Sequence, residues 1–175
     1  KSLLSSMEIT LILKRSAKTL EFFDEFYIRD RLPGTHHRVP QVADSCVKLT
    51  ELLIDAFALI ADSFPEYDLI IYGEGALREE LTAYIGSIGL SGRVKLPGNF
   101  TDVTERIKEA SLFVLSSDFE GMPNALMEAM ALGLPCISTD CGGGGARYLI
   151  QDGYNGVLIP KNDISRMSTA IRAIL

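Results

Sequence analysis

The sequence predicts a doubly wound, mainly parallel α/β sheet. Short runs of consecutive apolar residues recur along the chain without polar alternation, the pattern of strands covered on both faces. Between them, from residue 68 onward, lie stretches with apolar residues at helical spacing, so that strand and helix candidates alternate. At 175 residues with 47% hydrophobic content, the chain is long enough for one domain with a sizeable core, or one domain with an extra segment.

The elements follow in order. Met7 to Leu13 is an apolar, β-prone strand candidate, and Ala17 to Tyr27 carries a helical stripe at Leu20, Phe23, Phe26 and Tyr27. Residues 29–45 hold prolines and a glycine without periodicity and read as a loop, which includes the adjacent His36 and His37. Val47 to Phe64 reads as a helix with Leu49, Leu52, Leu53, Ala56, Phe57 and Ile60 inward, ended by Pro65. Then come a strand at Asp68 to Tyr72, a turn at Gly73-Glu74-Gly75, a helix at Ala76 to Ile88 and a strand at Val94 to Leu96. Thr101 and Glu105 read as a capping box for a helix over Asp102 to Ala110. After the central unit described below, four glycines at 142–145 lead into a short helix to Ile150. A strand at Gly156 to Ile159 and a final helix from Asp163 to Leu175 complete the chain.

Composition narrows the function classes. A net charge of −6 and a pI near 4.9 argue against a general nucleic-acid surface, which needs a basic field, but leave room for a local phosphate pocket. Cys46, Cys136 and Cys141 are a sparse, odd set and read as reduced core and loop thiols of a cytoplasmic protein. No carboxylate, histidine or cysteine cluster has metal-site spacing. No apolar run approaches the roughly 20 residues of a membrane span. Residue 1 is Lys and no signal peptide is evident, so the chain reads as a piece of a longer protein.

The centre of the sequence is Leu112 to Asp140, which reads strand, loop, helix, strand. Pro123 suits a first helical position, and Gly133 stops the helix. That helix, NALMEAMAL, is apolar on every side and is expected to be buried. Its one charge, Glu128, then needs a partner, since an unpaired buried carboxylate costs several kcal/mol. Eight positions earlier, Glu120 ends the loop at the carboxyl end of a strand, where open parallel sheets bind ligands.

Glu120 and Glu128, set in EGMPNALMEAMALGLPCISTD, closely resemble the E-x7-E signature of the large retaining glycosyltransferase family of GT-B fold, often called family 4. Further landmarks appear in the family's order: Tyr72-Gly73-Glu74-Gly75, Leu96-Pro97-Gly98-Asn99-Phe100, Thr139-Asp140-Cys141 with its glycines, and Asp152-Gly153-Tyr154-Asn155-Gly156. The resemblance covers residues 46–175, as a Rossmann-like nucleotide-sugar-binding domain, and poorly covers 1–45. It implies the donor-binding half of a GT-B enzyme, which moves a hexose-type sugar from a nucleotide-sugar to a glycan or lipid-linked acceptor with retention. The nucleotide-sugar is the substrate, no cofactor is implied, and the acceptor-binding domain precedes this one in the parent. Cytoplasmic placement, with peripheral contact at the inner membrane face through the parent, completes the expectation.

The same resemblance distributes roles. The amides from Met122 through Pro123, Asn124 and Ala125 to Leu126 open a helix, where free N–H groups and the dipole favour a phosphate, and Gly121 admits close approach. Glu128 would take the ribose hydroxyls and Glu120 the donor sugar, with Lys48 on the diphosphate. Phe100 and Gly73 would frame the nucleotide. Family members place an arginine five or six residues before that lysine. Here those positions are Val42 and Ala43, and the nearest candidates are Arg38 and Arg15. The family's acidic residue near Arg147-Tyr148 is also missing. For each residue a bland reading stays open: Glu128 tying a neighbouring loop, Glu120 a loop acid, Lys48 a solvated lysine, Phe100 ordinary core and the glycines a flexible loop. So do other functions: an epimerase or synthase on the same fold, a non-catalytic nucleotide-binding regulatory module, or a flavodoxin-like receiver.

Overall fold

The computed structural model describes residues 10–15, 40–73, 75, 78–98, 100 and 102–175. The strands are β1 (Thr10–Arg15), β2 (Tyr67–Tyr72), β3 (Val94–Gly98), β4 (Leu112–Leu115), β5 (Cys136–Thr139) and β6 (Val157–Ile159). The helices are α1 (Pro40–Ala58), α2 (Arg78–Ser87), α3 (Val103–Ile107), α4 (Asn124–Ala131), α5 (Gly145–Leu149) and α6 (Ile164–Ile174).

The strands form one six-stranded sheet in the order β3-β2-β1-β4-β5-β6. Pairing is parallel between β2 and β3 and along β4, β5 and β6. β1 runs antiparallel to both its neighbours, β2 and β4. Strands β2 to β6 therefore all point one way, and their carboxyl ends share one edge. The expected mainly parallel sheet is present, with a reversed strand at its centre. A regular strand–helix–strand crossover would have made β1 parallel to β2, but residues 16–39 lie between β1 and α1.

Strand alternation sorts the core into two layers. Leu69, Ile71, Leu112, Val114 and Ile137 meet Leu53, Phe57 and Ile60 of the α1 region, Ile85 of α2, and Met167 and Ile171 of α6. On the other face Tyr72, Phe113, Leu115 and Cys136 meet Ile107, Leu126, Ala129 and Ala146 of α3, α4 and α5. Every residue of β4 and β5 is buried, as expected for central strands covered twice.

Several boundaries differ from expectation. α1 starts at Pro40, inside the region read as loop, because proline is well tolerated at a first helical position. It ends at Ala58 and gives way to turns closed on Phe57 O and Ile60 O before Pro65. β1 extends to Arg15, two residues past the end of its apolar run at Leu13; residues 7–9, the helix expected at 17–27, the two histidines, and Thr101 lie outside the described residues. α3 begins after Asp102, whose carboxylate makes no cap bond and instead accepts from Arg106 Nε at 2.9 Å. Pro123 is the extended N-cap of α4 rather than its first residue.

The amino edge of the sheet is closed by a charged cluster. Asp68, 4% exposed, accepts from Lys95 Nζ at 2.6 Å and Arg93 Nε at 3.3 Å. Arg93 also donates to the carbonyls of Ala61, Phe64 and Tyr67, and its guanidinium lies 5.6 Å from the Phe57 ring centroid. A buried carboxylate is tolerable here because both its cations come with it.

Candidate functional site

The carboxyl ends of β4 and β5 hold most of the candidate site residues. β4 runs into Ser116-Ser117-Asp118-Phe119-Glu120, and β5 into Asp140-Cys141 and the glycines. The two loops are bonded side by side: Glu120 N–H donates to Gly142 O at 2.8 Å, Gly142 N–H to Asp118 O at 3.0 Å, and Gly145 N–H to Glu120 O at 3.3 Å. The glycine run is thus a packed surface as well as a turn. A Cβ on Gly143 would come within 2.7 Å of the Glu120 carbonyl carbon, and one on Gly145 within 2.8 Å of the Gly121 carbonyl carbon and of Pro123 Cδ. Only a glycine lets the backbones approach this closely.

The helix carboxylate, expected to be buried, is not the buried one of the pair. Glu120 is the buried one, at 6% exposure. Its Oε1 accepts from Ser117 Oγ at 2.9 Å. Glu128 is exposed, on a stripe of α4 with Asn124, Met127 and Ala131, while Ala125, Leu126 and Ala129 face the core. The helix is therefore not buried all round. Its outer face is apolar in composition but open, with Met127 and, just beyond, Leu132 exposed. Exposed Met122 and Phe119 continue that open surface onto the loop.

The start of α4 remains available to an anion. Pro123 has no N–H to offer and no side-chain cap bond is made. The first helical bond runs from Met127 N–H to Pro123 O, so the amides of Asn124, Ala125 and Leu126 serve no intrahelical acceptor. Gly121 is exposed, with nothing near its Cβ position.

Other expected residues fare unevenly. Lys48 is exposed but sits midway along α1, eight residues after its start. Arg15 is excluded from this crevice by register: it pairs with Tyr67 at the amino end of β2, the opposite edge. Arg38 lies outside the described residues. Gly73, at φ 154°, ends β2 and donates to Gly98 O at 3.0 Å. Phe100 is half-buried, edge-on to Tyr72 at 5.7 Å, with the Arg106 guanidinium 3.7 Å from its ring centroid. One face of that ring is already covered by a cation. Burial raises the Tyr72 hydroxyl above its ordinary value, and nearby Arg106 opposes the shift.

Some residues here were given no individual role by the sequence. Thr139, fully buried, accepts Ser117 N–H at 2.9 Å on Oγ1 and donates the same hydroxyl to Ser117 O at 2.7 Å. Ser116 Oγ is buried without a partner among the described residues. Lys161, just after β6, lies 3.7 Å from Asp118 and brings a cation to the carboxyl edge. Where an acid was missing near Arg147, Asp140 supplies one: Arg147 grips its carboxylate with two nitrogens, which holds the Asp140 pKa below its usual range. A helical end with Asp or Glu opposite Arg at strand termini was a readable signal; small hydroxyls at the ends of two adjacent strands were a weaker one. A groove of about 400 Å³ between α2 and edge strand β3 is lined by Arg78, Ile85, Val94, Leu96 and Pro97 and lies apart from the carboxylates.

The model of the family "Glycosyl transferases group 1" matches residues 42–175. The chain belongs to this family. Among group 1 relatives, it is 39% identical over 108 residues to the lipopolysaccharide 1,6-galactosyltransferase of Salmonella typhimurium, a match covering 59% of this chain and 30% of that protein. Among solved structures, it is similar to Staphylococcus aureus TarM, crystallised as a variant with fondaparinux, α-GlcNAc-glycerol and UDP. That likeness has a TM-score of 0.68 at 28% identity, over 73% of this chain and 26% of TarM. Anabaena HepE in complex with UDP-glucose gives a TM-score of 0.63 at 28% identity, over 70% of this chain and 34% of HepE. The chain thus spans about a third or less of the length of these relatives. The family match begins at residue 42 and so leaves out β1, the reversed strand. Among the described residues, no helix is long and apolar enough to cross a membrane.

Proposed function

We propose that this chain is the donor-binding half of a nucleotide-sugar-dependent glycosyltransferase, with the acceptor-binding domain elsewhere in the parent. The observation that carries this is the open first turn of α4, flanked by the two carboxylates at the carboxyl edge of the sheet. The nucleoside diphosphate lies across the amides of residues 124–126 and Gly121, the most favourable anion position on this edge. Exposed Glu128, one turn along, accepts from the ribose hydroxyls. Glu120, at the far side of the phosphates, accepts from the donor sugar. Leaving-group charge is stabilised by fixed amide dipoles, and Lys48 or Arg38 adds a cation if either reaches the diphosphate. The similar proteins crystallised with UDP or UDP-glucose make a uridine nucleotide the first ligand to try. The acceptor is a glycan or lipid-linked glycan, the transferred sugar a hexose, and the stereochemical outcome retention.

One observation favours a second reading, a nucleotide-binding module without transfer activity. The arginine expected on the diphosphate is absent from its usual place, and Arg15 stands at the wrong edge. Melting curves with uridine, guanosine and adenosine diphosphates test binding in both readings. Ligand at about 100 times its dissociation constant adds about 2.7 kcal/mol of stability. No shift with any of the three at millimolar concentration would rule out both.

A further inference from the structure

We infer that Ser117 and Thr139 are positioning residues that hold the Glu120 carboxylate in the orientation that meets the donor sugar. The inference rests on the function proposed above. Thr139 is the last residue of β5 and is fully buried. Its one hydroxyl is used twice on the same residue, as acceptor for Ser117 N–H at 2.9 Å and as donor to Ser117 O at 2.7 Å. That pair of hydrogen bonds to one residue fixes the point where the chain leaves β4, two residues past Leu115. Ser117 then directs its own hydroxyl to Glu120 Oε1 at 2.9 Å. The Glu120 backbone is pinned independently by Gly142 O and Gly145 N–H. Backbone and side chain are thus held by separate sets of bonds, and the Thr139–Ser117 set is the one that reaches the carboxylate oxygen Oε1.

The arrangement has a chemical consequence. A carboxylate at 6% exposure has lost most of its water, and its oxygens need hydrogen-bond donors in place of that water. Ser117 supplies one at Oε1, which leaves Oε2 to accept from a sugar hydroxyl. Without Ser117 the side chain is free to turn about its own torsions while the loop stays in place. Affinity for the sugar part of a donor then falls, and affinity for the nucleotide part does not.

The test compares Ser117→Ala, Thr139→Val, Thr139→Ser and Glu120→Gln with wild type. Each is titrated by calorimetry with uridine diphosphate and with UDP-glucose, or with the guanosine or adenosine pair if wild type prefers it. Ser117→Ala and Thr139→Val should each weaken the sugar nucleotide by about tenfold, the loss of roughly one hydrogen bond at a charged acceptor, with the diphosphate within about twofold. Glu120→Gln should show the same selectivity, and Thr139→Ser should bind like wild type because it keeps the hydroxyl. If Glu120→Gln is selective but Ser117→Ala is not, the positioning role is overturned while the proposed function stands. Equal weakening of both ligands by Ser117→Ala overturns it too, since the bonds would then only support the loop. If Thr139→Val does not fold, Ser117→Ala decides alone. Wild type binding none of the pairs, or Glu120→Gln affecting neither ligand, overturns the reading of Glu120 itself and the inference with it.

Discussion

Replacing Gly145 with alanine should damage the site more than replacing its neighbour Gly144, although both changes add one methyl group. At Gly145 the new Cβ would lie 2.8 Å from the Gly121 carbonyl carbon and from Pro123 Cδ, and nearer still to the Gly121 oxygen. Carbon contacts relax at about 3.5–4.0 Å, so the Glu120-Gly121 loop must retreat by about 1 Å. That movement stretches the bonds from Glu120 N–H to Gly142 O and from Gly145 N–H to Glu120 O. Overpacking costs roughly 1–3 kcal/mol and each of the two weakened bonds about 1 kcal/mol, for about 4 kcal/mol in all. In a domain of this size the melting temperature should then fall by about 8–16 °C. At Gly144 the Cβ meets nothing within 4 Å, but φ is +75°. The cost there is the left-handed backbone alone, roughly 1–2 kcal/mol, with the loop left in place. Differential scanning fluorimetry and nucleoside diphosphate titration separate the two. Gly145→Ala should lose at least about tenfold in affinity, or about 1.4 kcal/mol, and Gly144→Ala should bind normally. Equal losses in both variants, or wild-type binding by Gly145→Ala, would refute the close-packing argument.

Three further outcomes are expected. Burial pushes the Cys136 thiol from 9.0 up to about 12. The unfolded chain therefore releases that proton first, and the thiol's contribution, complete below pH 9, is lost as pH rises toward 12 at about 1.4 kcal/mol per unit; urea titrations of wild type and Cys136→Ala should diverge with that sign. Arg93→Ala removes one of the two cations that meet Asp68 among the described residues and leaves three carbonyls short of a donor; it should cost about 3 kcal/mol in urea unfolding and leave nucleotide binding intact, because the cluster is at the opposite edge. The isolated chain should bind a sugar nucleotide without transferring the sugar to a simple acceptor, which radiolabelled product formation would contradict.

The path from strand to loop to helix around Glu120 was readable because Gly121, Pro123 and Gly133 punctuate it with residues of narrow backbone preference. The relative burial of the two carboxylates was not. Met127, Ala131 and Leu132 are apolar residues on the open side of α4, and a helix with apolar residues on both sides does not declare which side faces the core. Likewise, the apolar run that becomes β1 carries no sign of direction, so nothing in it warned that Arg15 would stand beside Tyr67 at the amino edge. The four glycines are identical as letters. Their separate duties come from which backbone each one faces: Glu120 for Gly143, Gly121 for Gly145, and open space for Gly144. Ser117 and Thr139 are common residues whose importance lies in two bonds between positions distant in sequence and a third from Ser117 to Glu120 within the loop.

The division of labour between the two carboxylates is tested most directly by titrating Glu128→Gln and Glu120→Gln with a nucleoside diphosphate that carries no sugar. Hydrogen bonds to a charged acceptor are worth roughly 1.5–3 kcal/mol each. Glu128→Gln keeps the shape and removes the charge, so affinity should fall by at least about tenfold, while Glu120→Gln should bind like wild type. Wild-type affinity in Glu128→Gln together with loss in Glu120→Gln would show the two roles reversed, and no change in either would contradict a nucleotide site between them.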